Sequence, residues 1–433
     1  MAAARKKKDL IPTGKTNQLV ARLQQNRDHQ VTTARDAVKS WRYIDFIDPH
    51  FDTPCLSLEW LFGSRGVLAG RLMQLRAKWS QGKSSFMYLL YAMALRTAKA
   101  FCWHVETEGA GAPPDFVAAF GMDPGDLIIE EITAFETCTE SLDTVVAEIR
   151  GGFGGMPSAD GKRILKTKFD NPMDAAMEFP IVAGVDSLSS LGLKAGTDQD
   201  IKDMTKTAAL ASHSRKIREY LRDRVSRFKQ TQTLVVLTAH ETAKIAMGGA
   251  PTPRGNDAKS SLAQEAIGIH ATYCLDVRAK NYMAKEKGVR LGDIVTLTTT
   301  KNKISPRGRQ LDMYLVWNEG FDLRHTDAEF LLSHGESPFT KEECYRHSQG
   351  ITCKPLRDKS FKTEDEFLEA LYANTELVAA LREKMRIRGF GFDFETKYGV
   401  HKELPDETPD PDVVNLVSAD AAPAEASDGV AGS

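Results

Sequence analysis

The sequence predicts an α/β fold built on a central, mostly parallel sheet, and three features point to it. From Leu56 to about Asp322, short apolar runs alternate with amphipathic helical stretches, the pattern of strands joined by crossover helices. A Gly-Lys-Ser turn, Gly82 to Ser84, links one such run to a helical one. Other runs stop at a polar or charged residue, Glu106, Asp186 or His240, where a strand's carboxyl end would meet solvent. The clearest strands are RLMQLRA (71–77), AFCWHVE (100–106), PIVAGVD (180–186), TLVVLTAH (233–240) and DIVTLTTTKN (293–302).

The flanks divide the chain further. Residues 1–34 hold the basic cluster Arg5–Lys8 and a polar helix-prone stretch. The β-branched and aromatic segment AVKSWRYIDFI (37–47) reads as a strand that stops at Asp48-Pro49. Two Gly-containing polar stretches, 191–200 and 247–257, interrupt the core. Residues 323–400 end in the helix TEDEFLEALYANTELVAALREKM, with Thr363 and Glu366 placed as a capping box. The expected domains are an arm (1–55), a core (56–322), a small carboxyl-terminal α/β domain (323–402) and a disordered acidic tail (403–433).

Composition narrows the class. The 433 residues are 42% hydrophobic and 27% charged, which excludes wholesale disorder and collagen-like repeats. No apolar run approaches the roughly 18 residues of a membrane span, and MAAARKKKDL lacks a secretory apolar core. A cytoplasmic protein with no membrane partner is expected. The six cysteines show no C-x-x-C spacing, so all read as reduced thiols. Cys344, His347 and Cys353 are close in sequence but lack a fourth zinc ligand. The net charge of −2 conceals a split: eight acidic residues and no Lys or Arg from Glu403 onward give a tail of −8 on a body of +6. A basic body with an acidic tail suits a polyanion partner whose access the tail regulates; the plainer reading is a solubilising terminus.

The chemistry concentrates in five places. Ala77-Lys78-Trp79-Ser80-Gln81-Gly82-Lys83-Ser84-Ser85 follows a strand and opens a helix, matching the phosphate-binding G-x-x-x-x-G-K-[ST] except that Ala77 replaces the first Gly. Lys83 would bind the β/γ-phosphates and Ser84 would hold Mg²⁺. Asp186 can reach that ion through water, although strands often end in an Asp of no function. Either Glu106 or Glu108 can polarise a water beside the loop, and position alone does not choose. His240 ends another strand, where a γ-phosphate sensor or a structural His would sit. In SRKIREYLRDRVSRFKQ (214–230), Ile217, Leu221, Val225 and Phe228 make a buried stripe, with Arg215 and Arg222 on the opposite side. Such faces are usually solvated, but this one follows a polar loop that a phosphate backbone could pass.

The order of these motifs resembles the RecA/UvsX strand-exchange family. CLSLEWLFGSRGVLAGRLMQLRAKWSQGKSS is similar to that family's lead into its phosphate loop, followed in order by ETEG, PPDFVAAFGMDPGDLI, VDSLSSL, FKQTQTLVVLTAH and TKNKISPRGRQLDMYLVWNEGFD. The likeness spans about Leu56 to Asp322 and is greatest to the phage-type branch. It departs in Ala77, in Trp79 within the loop and in one extra residue between Glu108 and Gly121.

The resemblance implies a RecA-like P-loop NTPase core with a helix-plus-strand polymerisation arm. It implies a DNA-dependent ATPase forming helical homo-oligomeric filaments on single-stranded DNA and exchanging strands with double-stranded DNA, with ATP and Mg²⁺ as cofactors. Catalysis falls to Glu108, Lys83 and His240. Gly82, Lys83, Ser84, Ser85, Phe116 (stacking on adenine) and Asp186 bind ATP, with Ser84 and Asp186 on the metal. Lys301 and Lys303 reach the neighbouring subunit's ATP. The stretches around 191–207 and 241–260 match the DNA-binding loops, Lys244-Ile245 the pair where an apolar side chain separates bases, and Arg215 and Arg222 the DNA-contacting arginines. Single-strand-binding and loader proteins are expected partners, in a bacterial cell or phage-infected host. A RecA-like hexameric helicase and a non-hydrolysing recombination mediator are the alternatives.

Overall fold

A two-stranded antiparallel ribbon, β1 (His50–Asp52) and β2 (Gly66–Leu68), leads into a sheet of nine strands. These are β3 (Leu72–Ala77), β4 (Phe101–Glu106), β5 (Leu127–Glu131), β6 (Ile181–Asp186), β7 (Thr233–His240), β8 (Tyr273–Met283), β9 (Arg290–Asn302), β10 (Gln310–Val316) and β11 (Gly320–Asp322), in the order β11-β10-β9-β8-β3-β7-β6-β4-β5. The six from β8 to β5 run parallel, and β9, β10 and β11 continue the sheet antiparallel. This computed structural model describes residues 50–97, 100–109, 113–153, 180–193, 206–240, 262–283, 288–333, 335–357 and 359–387. The predicted arm strand, most of both predicted DNA loops, with Lys244 and Ile245, and the acidic tail lie outside the described residues.

The central strands are largely apolar on both sides because both sheet faces are covered, with Gln74 and Arg76 in β3 and His104 in β4 as polar exceptions. Successive residues feed opposite cores: Met73 and Leu75 pack into one cluster and Leu72 into the other, as do Val182 and its neighbours Ile181 and Ala183. One core holds α1 (Leu56–Phe62), α2 (Lys83–Thr97) and α3 (Pro114–Ala119); the other holds α4 (Phe135–Phe153), α5 (Lys206–Gln230) and α6 (Leu262–His270). Helix α2 is buried on nearly every side, Phe86 to Ala94 being no more than 4% exposed, so its sequence shows an apolar run rather than a stripe. On α5 the predicted stripe is realised, with Ile217, Leu221 and Phe228 buried and Val225 packed against them.

The carboxyl-terminal segment packs on the same core as α1. It comprises α7 (Leu323–Leu332), a three-stranded sheet of β12 (Cys344–His347), β13 (Gly350–Cys353) and β14 (Lys359–Phe361), then α8 (Glu364–Ala373) and α9 (Thr375–Lys384). Two buried polar junctions fasten it. Arg382 makes a bidentate pair with Glu59 at 2.6 and 2.7 Å. Asp327, 1% exposed, accepts from the Ser57 N–H at 2.7 Å and the Tyr372 hydroxyl at 2.6 Å.

Two local expectations change. The single helix predicted at 363–385 is two helices, because the Asn374 side chain accepts the Leu377 N–H at 3.0 Å and starts a new helix. At the first start, Thr363 accepts the Glu366 N–H at 3.2 Å while Glu366 accepts from Lys362, one residue before the cap. The cysteines are not all reduced: Cys344 and Cys353 face each other across β12 and β13, Cα atoms 4.2 Å apart, and form a disulfide. That bond uses both sulfurs, and His347 binds the Thr352 hydroxyl instead, so the partial zinc set is not assembled. Among the described residues no helix is long and apolar enough to cross a membrane.

Candidate nucleotide site

Strands β3, β7, β6 and β4 end side by side, with Ala77 opposite His240 and Glu106 opposite Asp186. Four of the sequence-predicted residues therefore share one sheet edge. Between β3 and α2 the chain turns through Lys78–Gly82. Ala77 closes β3 in ordinary strand geometry, so the missing first glycine is no steric loss there; the left-handed positions are Ser80 (φ 49°) and Gly82 (φ 84°). At Gly82 a Cβ would also stand 2.9 Å from Val295 Cγ2, which explains why this glycine is retained. Trp79 projects outward, 81% exposed.

The loop delivers Lys83 and Ser84 to the first turn of α2, where the positive end of the helix dipole favours an anion. Lys83 is 5% exposed; its ammonium donates to the Lys78 carbonyl at 2.9 Å and lies 3.4 Å from His240 Nδ1. The Ser84 hydroxyl donates to Asp186 Oδ2, and the Thr238 hydroxyl donates to Asp186 Oδ1 at 2.6 Å. Ser85 is buried beneath them. A hydroxyl and a carboxylate beside a phosphate-binding turn are the hard oxygen donors that Mg²⁺ takes along with retained waters. The residues present fit both a nucleotide triphosphate and its ion.

His240 joins this pair to the carboxylates. Its Nε2 lies 2.8 Å from Glu108 Oε1, which also accepts from Ser187 at 3.2 Å and Ser190 at 3.1 Å. The His240 hydrogen bond is the main reason the Glu108 carboxyl sits below its ordinary range, against a smaller burial effect. With half its side chain exposed, Glu108 is open to water. Glu106 points inward, its side chain 9% exposed beside His104, and accepts the Glu108 N–H at 2.7 Å. Bonding to His104 lowers its carboxyl as well. Glu108 has the access and the partners of a water-activating base, whereas Glu106 braces it.

Phe116 lies on α3, which crosses α2 with the Tyr88 ring 5.2 Å from Phe116 and 5.9 Å from Phe120. There it meets the turn between β10 and β11. Gly320 (φ 84°) permits the approach, since a Cβ would stand 2.6 Å from the Ala119 carbonyl oxygen. The two elements enclose a cavity of about 150 Å³ lined by Phe116, Phe120, Trp317 and Asn318. Strand β10 runs in the same direction as β3, so this slot opens at the same sheet edge as the phosphate loop. Trp317, half exposed with Arg290 stacked 4.7 Å from its ring centre, went unrecognised in the sequence; the only signal was a bulky aromatic opening a WNEG turn.

The remaining predicted residues lie elsewhere. Arg215 and Arg222 are exposed on α5, paired with Glu219 at 2.9 Å and Asp223 at 3.0 Å. Lys301 lies near the end of β9 at the opposite sheet edge, paired with Cys274 of β8, where it donates to the Gly268 and Ile269 carbonyls at 2.6 and 3.0 Å. Burial, then Lys303, pulls its ammonium below the ordinary lysine value. The exposed Lys303 is beside it.

No family model matches the chain. Among curated proteins it is similar to protein RecA of Pseudomonas fluorescens strain Pf-5, 22% identical over 366 residues, which cover 84% of this chain and 90% of that protein. It is likewise 23% identical over 288 residues to protein RecA of Pseudomonas savastanoi pv. phaseolicola and of Pseudomonas syringae pv. syringae, covering 66% of this chain and 69% of each. These distant relatives, with the mixed sheet and its covered faces, support a RecA-like recombinase family and a RecA-like core.

Proposed function

We propose that the protein is an ATP-dependent recombinase of the phage-like branch, which polymerises on single-stranded DNA and exchanges it with a homologous duplex. The observation that carries this reading is the placement of two cationic groups on opposite edges of one sheet. Lys83 stands at the carboxyl edge with the nucleotide residues, and Lys301 at the amino edge. The strand between them spans about 20 Å, at roughly 3.3 Å per residue. Lys301 and Lys303 are thus out of reach of their own subunit's phosphates and suited to a neighbour's, stacked head to tail. Such a contact does not close on itself and generates a helical filament.

Within one subunit the residues divide the work. The Phe116–Trp317 slot takes the adenine between aromatic faces, while Lys83, Gly82 and the α2 N-terminus hold the β- and γ-phosphates. Ser84, with Asp186 through water, would hold Mg²⁺, which neutralises phosphate charge when bound. Glu108 orients and deprotonates the attacking water, and His240 reads whether the γ-phosphate is present. ATP favours the DNA-binding filament and hydrolysis releases it. Arg215, Arg222, Lys244 and Ile245 contact the DNA, and the acidic tail restrains duplex capture. The setting is the cytoplasm of a bacterium or phage-infected host, with single-strand-binding and loader proteins as partners in repair or replication.

The test is ATP hydrolysis with and without single-stranded DNA, using Lys83→Ala as the control. DNA-stimulated hydrolysis that Lys83→Ala abolishes is expected. Hydrolysis indifferent to DNA, or retained in Lys83→Ala, overturns the reading.

A further inference from the structure

His240 is held at four atoms by four different elements. Its ring nitrogens meet Glu108, just past the end of β4, and Lys83 on α2, as described. Its backbone N–H donates to the Ser189 hydroxyl at 3.1 Å, in the turn after β6. Its backbone carbonyl accepts from Gln264 Nε2 at 2.7 Å, in the first turn of α6. Gln264 is 2% exposed, and its own backbone carbonyl accepts from Gln74 Nε2 at 2.9 Å, a side chain of β3 with no exposure.

The bond from Gln264 has a clear physical reason. The β3–β7 register ends at the pair Ala77 and His240, so the His240 carbonyl has left the ladder and needs another donor. The Gln264 amide supplies it, and Gln74 fixes the turn of α6 that carries the amide. His240 immediately precedes, and Gln264 in the first turn of α6 closely follows, the stretch 241–260 that links β7 to α6 in sequence and is predicted to contact DNA. Ser189 likewise stands just before the other predicted DNA stretch. Any force that shifts the start of α6 against β3 therefore moves the His240 backbone, and with it an imidazole set between Glu108 and Lys83.

We infer that Gln264 is a positioning residue that couples DNA occupancy to the nucleotide site, through its hydrogen bond to the His240 carbonyl. The inference rests on the proposed function. Because coupling between two ligands is reciprocal, it is read most directly as the ratio of DNA affinities in two nucleotide states, which a merely structural role would leave unchanged.

The experiment uses the full chain with Gln264→Met, similar in volume but lacking the donor. A thymidine oligonucleotide is titrated with Mg²⁺ and either ATPγS or ADP, and ATP hydrolysis is measured with and without it. Basal hydrolysis and its KM should stay within about twofold of the starting protein. The affinity ratio and the DNA stimulation should each fall at least fivefold. Ser189→Ala, which removes the other backbone clamp, should move both in the same direction, and it decides the matter if Gln264→Met does not fold. A ratio within twofold of the starting protein in a folded variant overturns the inference and leaves the proposed function standing. A starting protein whose hydrolysis and DNA affinity ignore each other overturns both.

Discussion

Replacing Glu108 with Gln isolates the chemical step from everything that surrounds it. The carboxylate is held by His240 at 2.8 Å and by the hydroxyls of Ser187 and Ser190 at 3.2 and 3.1 Å. An amide keeps the shape and an acceptor oxygen but gives up the charge and the capacity to take a proton. Loss of a positioned general base costs about 10²–10⁴ in rate, or about 2.7–5.5 kcal/mol of barrier. The side chain is half exposed, so fold stability should change little. Single-turnover hydrolysis with saturating DNA measures the step, and a fluorescent ATP analogue measures binding independently. The expected result is a rate reduced by two to four orders of magnitude with nucleotide affinity within threefold. The depressed Glu108 carboxyl adds a pH signature: the base stays charged below the ordinary glutamate value, so the acid limb of the rate profile should fall below that value. A rate within tenfold of the starting protein, or equal losses in binding and rate, would refute the assignment.

Three further outcomes test other parts. Trp317→Ala removes one wall of the aromatic slot; with a base–aromatic stack worth about 1–3 kcal/mol, KM for ATP should rise roughly 5- to 150-fold with kcat nearly unchanged, as steady-state kinetics would show. Arg382→Ala strands Glu59, whose carboxyl burial already raises against the pull of Arg382; breaking such a pair costs about 3–5 kcal/mol, and thermal melting should fall accordingly, with partial recovery in a Glu59→Met, Arg382→Met double variant. His325 binds Glu364 at 2.8 Å between α7 and α8, with Glu329, Asp322 and Arg346 nearby; the Glu364 hydrogen bond raises the imidazole and, against burial, His325 lowers the carboxyl. The imidazole's contribution is full below the ordinary histidine value and fades as pH rises through the raised one, while the carboxylate's fades as pH falls below the ordinary glutamate value. The melting difference between the starting protein and His325→Gln should therefore peak at mildly acid pH and shrink on either side; a difference constant with pH contradicts the pair.

The sequence is most legible where one physical requirement dominates. Strands β4, β6 and β7 are buried on both faces, so each is a largely apolar run ending at a polar edge residue, and those endings locate Glu106, Asp186 and His240 together. Strands β8 and β10 were harder to read: they belong to or adjoin the antiparallel flank, and their apolar residues are interleaved with Asp, Arg, Lys and Asn. The helix break at Asn374 turned on a side chain competing with the backbone, which helical periodicity does not report. The Cys344–Cys353 bond depends on hairpin register, invisible in a spacing that matches no motif. Trp317 was missed because its partner Phe116 is distant in sequence and the slot exists only once α3 has crossed α2. Strand position alone does not choose between Glu106 and Glu108; the resemblance implies Glu108, and three dimensions supply the physical difference, one carboxylate facing His104 inside and the other His240 at the edge.

The central claim is that the chain forms an open filament whose nucleotide sites are completed by the neighbouring subunit. Electron microscopy of the full chain with single-stranded DNA and ATPγS tests it most directly, with the Lys301→Ala, Lys303→Ala double variant alongside. The account predicts extended helical filaments for the starting protein, and short or absent filaments for the variant despite normal nucleotide binding by the isolated subunit. Closed rings, or filaments equally long in the variant, would contradict it.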